Sequence, residues 1–312
     1  MKIRPGIKAP LWMVPGAVFM LLVVLILGHF GKEPKPVEQL AFKARRVDLV
    51  SRMQLSLSSA SEAEKSAAMA ITDEESKLFA DQARVATAEV ERERRGLEEL
   101  LKAGGTQGEK DLLAQFYQAF IEFQRIDNDL LNLAVKNTNL KAYTLAFGPA
   151  ADALNEMNRA LSRIVAANVD SPEAKKVMLL AFGVQINAFH IQTLLPPHIA
   201  EESDEKMDKL EAMMAKEDAQ ARKDIDALKA LPSLSGDADL ATAASSYARF
   251  TKTRMQILKL SRENTNVRSL AISLNQKRKV TVLCQDALNA LKQAILEEPV
   301  RGVTYGPPAR PR

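Results

Sequence analysis

From residue 37 onward the hydrophobic positions recur at steps of three and four and nowhere alternate with period two, so the pattern predicts helices and no strands. One stripe runs through Phe116, Phe120, Phe123, Leu130, Leu133, Leu140, Tyr143, Phe147, Leu154, Met157, Leu161 and Ile164. A second runs through Tyr247, Phe250, Ile257, Leu260, Val267, Leu270, Leu274, Leu288, Leu291 and Ile295. Stripes of this width face the core of a helical bundle. Helix breakers gather at Gly104, Gly105 and Gly108, at Asp170-Ser171-Pro172-Glu173, and from Pro232 to Asp237. In the second of these, Ser171 suits an N-cap and Pro172 the first helical position. Four helical stretches result, near 38–103, 108–168, 172–230 and 237–297. Thr72-Asp73-Glu74-Glu75 reads as a capping box that interrupts the first stretch, and Pro196-Pro197 should kink or break the third.

The pattern before residue 37 is different. No charge occurs from residue 9 to 31, and the apolar centre is Leu11–Leu27. Roughly 20 such residues span a bilayer core at 1.5 Å per residue. This predicts a transmembrane helix over 9–31, after a short segment 1–8 and before a stiff linker, 32–36. The exit, Gly28-His29-Phe30-Gly31-Lys32, lacks the small-residue site of a cleaved signal peptide. No second hydrophobic run is apparent, so a single crossing is expected. Basic residues flank the segment on both sides and leave its orientation open.

The chain also repeats. Asn137-Thr138-Asn139-Leu140-Lys141 returns 127 residues later as Asn264-Thr265-Asn266-Val267-Arg268. The same offset pairs Phe123 with Phe250, and an offset of 128 pairs Ile71 with Ile199, Arg94 with Arg222 and Leu97 with Ile225. The expected fold is therefore all-α: a long antiparallel four-helix bundle over 37–298, built from two repeated helical hairpins, 37–169 and 170–298, with an irregular tail, 299–312. One continuous bundle and two stacked modules both fit. The interruptions near 71 and 199 favour two modules joined by unbroken second and fourth helices. Asn137 and Asn264 fall on the apolar seam, where a buried amide costs stability unless it finds partners but fixes register. Asn137, Thr138, Asn139, Asn264, Thr265 and Asn266 are thus expected to form a core polar layer that aligns the hairpins; a polar ligand pocket between helices is the alternative.

Composition narrows the chemistry. Forty-three basic and 39 acidic residues are interleaved, which gives no nucleic-acid footprint. His29, His190 and His198 lack the spacing of a metal site, so neither metal nor cofactor is expected. Cys284, the sole cysteine, lies on the seam and should pack as a small hydrophobe. The glycines at 104–108 are not followed by the Lys-Ser/Thr of a phosphate loop, and Asp127-Asn128-Asp129 lacks a calcium ligand at Leu131. No nucleophile stands with a base, so the chain is not expected to be an enzyme.

An N-terminal membrane helix followed by a bundle ending in Leu260-Ser261-Arg262-Glu263-Asn264-Thr265-Asn266-Val267-Arg268-Ser269-Leu270 and Lys277-Arg278-Lys279 resembles the extracytoplasmic four-helix-bundle sensor of methyl-accepting chemotaxis receptors. The size of the repeat region is closer to the helical bimodular type, which stacks two bundles. The resemblance implies a periplasmic domain on a single-pass inner-membrane anchor, a small organic ligand, and envelope or receptor proteins as partners; a homodimer is compatible with it. No position-specific ligand motif carries over. The expected sensor lacks the HAMP and signalling modules of such receptors, so it would have no output of its own. The rival expectation is a structural rod of the cell envelope with no small ligand. A buried polar pocket containing a basic residue would favour sensing; a dry, uniform core would favour the rod.

Overall fold

The structure, a computed structural model, describes residues 36–300. The expected membrane helix 9–31, the segment 1–8, most of the linker and the tail from 301 lie outside the described residues. Within them the chain is helical, with no strand. Helices α1 (Pro36–Met69) and α2 (Asp73–Gly104) form a hairpin, followed by α3 (Gln107–Ala134). Then come α4 (Thr138–Leu145), a π-helical turn (Ala146–Ala150) and α5 (Ala151–Ala167). The second half repeats this order. Helices α6 (Ala174–Ala200) and α7 (Asp204–Lys229) form a hairpin, and a 3₁₀ turn (Pro232–Leu234) leads to α8 (Ala238–Glu263). Helix α9 (Thr265–Ile272), a second π-helical turn (Ser273–Lys277) and α10 (Arg278–Glu297) complete it.

Two stacked four-helix modules result, and each borrows one helix from the other repeat. Helices α1, α2, α3 and α10 pack as a terminal module, around Val50, Met53, Leu57, Val90, Leu97, Phe116, Phe120, Phe123, Leu288 and Leu291. Helices α5, α6, α7 and α8 pack as a distal module, around Leu154, Met157, Leu161, Val184, Ile191, Met214, Leu228, Tyr247 and Phe250. The chain climbs through α3 and α5, reverses three times in the distal module, and descends through α8 and α10. Both ends of the described chain therefore meet: Lys43 Nζ donates to the carbonyls of Leu296 and Glu298 at 2.6 and 2.7 Å.

Local chemistry sets the helix ends. Thr72 accepts from Glu75 N–H at the start of α2. Thr106 and Glu109 form a full capping box at the start of α3, and Asp237 caps α8 through Leu240 N–H. Gly236 supplies the positive φ of 76° that the turn before α8 requires.

Several details differ from the sequence expectation. The interruptions near 71 and 201 are complete reversals, which make the first and third stretches short hairpins. The second and fourth stretches are not unbroken; they switch at Asn137 and Asn264. Helix α6 starts at Ala174, so Ser171 is not its N-cap and Pro172 precedes it. Pro196 and Pro197 sit inside α6 without ending it. Each gives up its own N–H bond to the carbonyl four residues earlier, at Gln192 and Thr193. The 128-residue pairs are out of register. Arg94 is buried but Arg222 exposed, and Ile199 is buried but Ile71 exposed. Burial in the hairpins instead repeats at 131, pairing Val50 with Ala181, Met53 with Val184, Val90 with Ala221 and Leu97 with Leu228.

The seam also re-phases after each switch. Ala142, Ala146 and Ala150 are buried where Phe147 was expected, and Ser269, Ser273 and Lys277 where Leu274 was. Among the described residues, α6 alone is long and apolar enough to cross a membrane by length and composition. Its Val177, Ala181, Val184 and Ile191 nevertheless line the distal core, while Leu179, Phe182, Ile186 and Phe189 form an apolar outer stripe.

At the closed end of the terminal module, Arg46 is 2% exposed and clamps three segments. Its Nη1 donates to both oxygens of Glu109 at 2.8 and 2.6 Å, its Nη2 to Glu298, and its guanidinium lies over Phe42. Removing one partner of a buried pair strands the other charge. Arg46→Ala should therefore lower stability by about 3–5 kcal/mol in denaturant melts. Arg95→Ala, which breaks an exposed pair with Glu91 on one helix face, should cost under about 1 kcal/mol.

Candidate functional site: the inter-module joint and its flanking polar clusters

The two Asn-Thr-Asn segments meet where the modules join. Asn137 and Asn264 both adopt the left-handed conformation, with φ of 50° and 52°. Asn tolerates this region better than other residues with a side chain, because its short amide bonds locally. The left-handed residue ends one helix and starts the next on a new phase. Each new helix begins with free N–H groups that require partners, and the other repeat provides them. Thr138 N–H donates to Thr265 Oγ1 at 3.2 Å, and Thr265 N–H to Thr138 Oγ1 at 3.1 Å. Asn139 N–H donates to Asn266 Oδ1 at 3.3 Å, and Asn266 N–H to Asn139 Oδ1 at 3.1 Å. The two helix starts cap each other across a local two-fold axis.

The side-chain amides close the ring. Asn139 Nδ2 donates to Asn264 Oδ1 at 2.7 Å, and Asn266 Nδ2 to Asn137 Oδ1 at 2.8 Å. They also reach the tips of both hairpins. Asn137 Nδ2 donates to Asp73 Oδ1, Asn139 Nδ2 to the carbonyl of Ile199, and Asn264 Nδ2 to that of Glu201. Asn137 and Asn264 do not bond each other; Asn137 pairs with Asn266 and Asn264 with Asn139, and those two partners bond each other. All six residues singled out in the sequence thus meet in one hydrogen-bonded layer, with Asn137, Thr138, Asn139, Asn264 and Thr265 buried.

A polar cluster flanks the joint on each side, and sequence reasoning found neither. In the distal module His198, fully buried, places Nδ1 2.8 Å from Ser261 Oγ and Nε2 2.9 Å from Glu211 Oε1. Arg262 pairs with the same carboxylate at 2.7 Å and with Asp208. Burial holds His198 below its ordinary value of 6.5, against the opposing pull of Glu211. In a neutral ring with its proton on Nε2, that proton goes to Glu211, and Nδ1 shares the Ser261 hydroxyl proton with the His198 carbonyl, 3.0 Å from Ser261 Oγ.

In the terminal module Lys277, 2% exposed, donates to Asp127 Oδ1 at 2.5 Å and to the carbonyl of Phe123 at 3.3 Å, with its ammonium over the Phe123 ring. Thr87 donates to the other oxygen of Asp127. Glu64, fully buried, lies 3.8 Å from Lys277 Nζ, and neither of its oxygens makes a hydrogen bond. Burial lowers the Lys277 pKa and raises that of Glu64; Ser273 and Lys277 oppose the rise. An open cavity of about 390 Å³ lies against Glu64, Ser61, Ser273 and Lys277. Nearby Cys284 is buried in the core, its thiol pushed up to about 12 by desolvation, as suits a packing residue. Among the described residues no group of His, Cys, Asp and Glu is arranged to hold a metal.

Replacing both seam asparagines with Leu should lower stability, because the left-handed backbone strains a bulky residue by roughly 1–2 kcal/mol. The informative pair is Asn139→Ala with Asn264→Gly, the latter keeping the backbone accessible. Each should cost about 1–3 kcal/mol, and the double variant clearly less than the sum, since both remove one shared bond. Additive effects in denaturant melts would show that the amides act independently.

His198 generates a pH dependence. Its folded-state pKa is depressed, so the unfolded chain takes up a proton first as the pH falls. Stability should therefore drop as pH falls below about 6.5, with a slope approaching ~1.4 kcal/mol per unit. Ser261, Glu211, Arg262 and Asp208 all face the ring's surroundings, and His198→Gln keeps a donor for Glu211. Urea melts of that variant between pH 7 and 5.5 should lose most of the slope relative to the native protein.

The search of curated proteins finds no match to this chain. A protein-family comparison does match, from the middle of α1 across the joint to the first turns of α6: residues 55–178 are similar to the four helix bundle sensory module for signal transduction, the sensor type of chemotaxis receptors that the sequence resembles.

Proposed function

We propose that this chain is a ligand-sensing module in which occupancy of one helical bundle is passed to the other through the Asn-Thr-Asn joint. The matched family is a sensory module rather than a catalytic one. The observation that carries the reading is the charged cluster of Lys277, Asp127 and Glu64, buried beside an open cavity in the terminal module. A rod that only spaces other proteins gains nothing from it. Burying such groups costs free energy that an apolar core would not incur. The joint supplies the coupling, because both modules share one set of hydrogen bonds and a shift of either helix start moves the other's caps.

In this reading the apolar segment 9–31 anchors the domain to the inner membrane, and the bundle stands on the extracytoplasmic side. The ends at 36 and 300 emerge together, so the terminal module is the one next to the anchor. The partner that reads the change is another membrane or receptor protein.

The full chain in non-ionic detergent should show a raised melting temperature with at least one class among small organic acids, amines and sugars, since a ligand of the native state stabilises it by mass action. That ligand should also alter amide exchange protection in the module it does not touch, and Asn139→Ala should remove this remote effect. A chain that no class stabilises would instead be the rod.

A further inference from the structure

The local two-fold axis allows each module to be compared with the other, position by position. Where the terminal module has Glu64, Ser273 and Lys277, the distal module has Leu195, Ala146 and Ala150, all fully buried. The same helices, the same left-handed switch and the same π-helical turn are thus built with an apolar lining. Glu64, Ser273 and Lys277 are therefore not demanded by the architecture, although the distal module also buries a charge at this level: Arg254 stands where Asp127 does and pairs with Asp218.

The cavity has a counterpart too. Ser61 corresponds to Gln192, 131 residues later. Gln192 fills its place and donates Nε2 to the π-turn carbonyl of Ala146 at 2.7 Å. In the terminal module the shorter Ser61 leaves that volume open, and its hydroxyl makes no hydrogen bond. The distal module therefore fills this position with its own N–H donor.

The open site is rich in acceptors. Neither oxygen of Glu64 and neither hydroxyl of Ser61 and Ser273 has a partner in good hydrogen-bond geometry, although the Ser273 hydroxyl lies close enough to Glu64 to oppose the rise of its pKa. Lys277 does not meet this demand: its donors go to Asp127 and Phe123, and Glu64 stays at 3.8 Å. Two buried carboxylates stand against one buried ammonium. A further positive charge, carried by a proton on Glu64 or by a ligand, would balance the cluster.

We propose that the cavity between α1 and α10 binds a small protonated primary amine, whose N–H groups donate to Glu64 and to the Ser61 and Ser273 hydroxyls. This rests on the sensing reading and names its ligand class. The π-helical turn is the element the ligand touches, and it lies directly below α9, whose first residues form the joint. Burial raises the Glu64 pKa, so the empty site holds a proton more readily than an ordinary carboxylate; amine binding releases any such proton to solvent. The charged groups around Glu64 and its cavity are Glu62 and Lys65 on its own helix, Lys277 on the π turn, Arg278 on α10 and, behind Lys277, Asp127 on α3.

The probes are methylammonium, ethanolamine and 1,4-diaminobutane, with tetramethylammonium and potassium as cations that have no N–H. Two variants copy the distal module into the terminal one: Ser61→Gln fills the cavity and Glu64→Leu removes the acceptor. At a concentration tenfold above Kd, a primary amine should raise the Tm of the full chain by about 3–5 °C, and both variants should lose that rise. In methyl-labelled native protein, the methylammonium methyl group should show contacts to the Thr281 and Val282 methyls, which line the cavity. This measurement needs no variant.

No rise with any amine, an equal rise with tetramethylammonium or potassium, retention of the rise in either variant, or no contact to Thr281 and Val282 would each overturn the proposal. If an organic acid or a sugar stabilises the chain and amines do not, the amine site falls while the sensing reading stands. If nothing stabilises it, both fall.

Discussion

The constraint on which this structure depends is the need to satisfy helix-start N–H groups in a place sealed from water. A helix that stops and restarts inside a core exposes donors that cost about 1–3 kcal/mol each if left alone. Two such restarts, at Thr138 and Thr265, are brought face to face so that each supplies what the other lacks. That exchange requires two copies of Asn-Thr-Asn in antiparallel register. It thereby sets the distance between modules, the swap of long helices and the placing of both hairpin tips. A single repeat would leave its restart unmet.

Helices and their approximate limits were legible in the sequence because periodicity and breakers are local signals. The Asn-Thr-Asn recurrence was legible because both copies serve the same backbone geometry. The switch itself was hidden. An Asn between Leu133 and Leu140 reads as a polar residue in a continuous seam, and nothing local marks φ as positive. Once the left-handed residue and the π-helical turn re-phase the helix, the extrapolated seam fails. Phe147 and Leu274 turn outward, while Ala146 and Ser273 turn in.

The charged cluster was hidden for a related reason. Glu64 lies within Glu62-Ala63-Glu64-Lys65 and Lys277 within Lys277-Arg278-Lys279, and such runs normally mark solvated faces. Only tertiary packing separates the one buried member of each run from its exposed neighbours. Asp127-Asn128-Asp129 lacks the ligand spacing of a calcium loop, yet Asp127 is the counter-ion of a lysine 150 residues away. The hairpin register lies three residues from the 128-residue offset, because chance identities such as Arg94 with Arg222 do not follow the burial pattern, which sequence does not display.

The mutual capping of the two restarts has a consequence for how such a molecule could change size. Asn137 and Thr265 adjoin at the joint, and the chain between them, 138–264, is one repeat long at the offset of 127. Excising it in frame would preserve the dipeptide Asn-Thr and the core of α1, α2, α3 and α10, but the restart at Thr265 would lose the Thr138 and Asn139 oxygens that cap it. The distal module is in this sense a lid on the joint as well as a bundle: its removal would keep the terminal core but open the restart to solvent, where water would take over the capping.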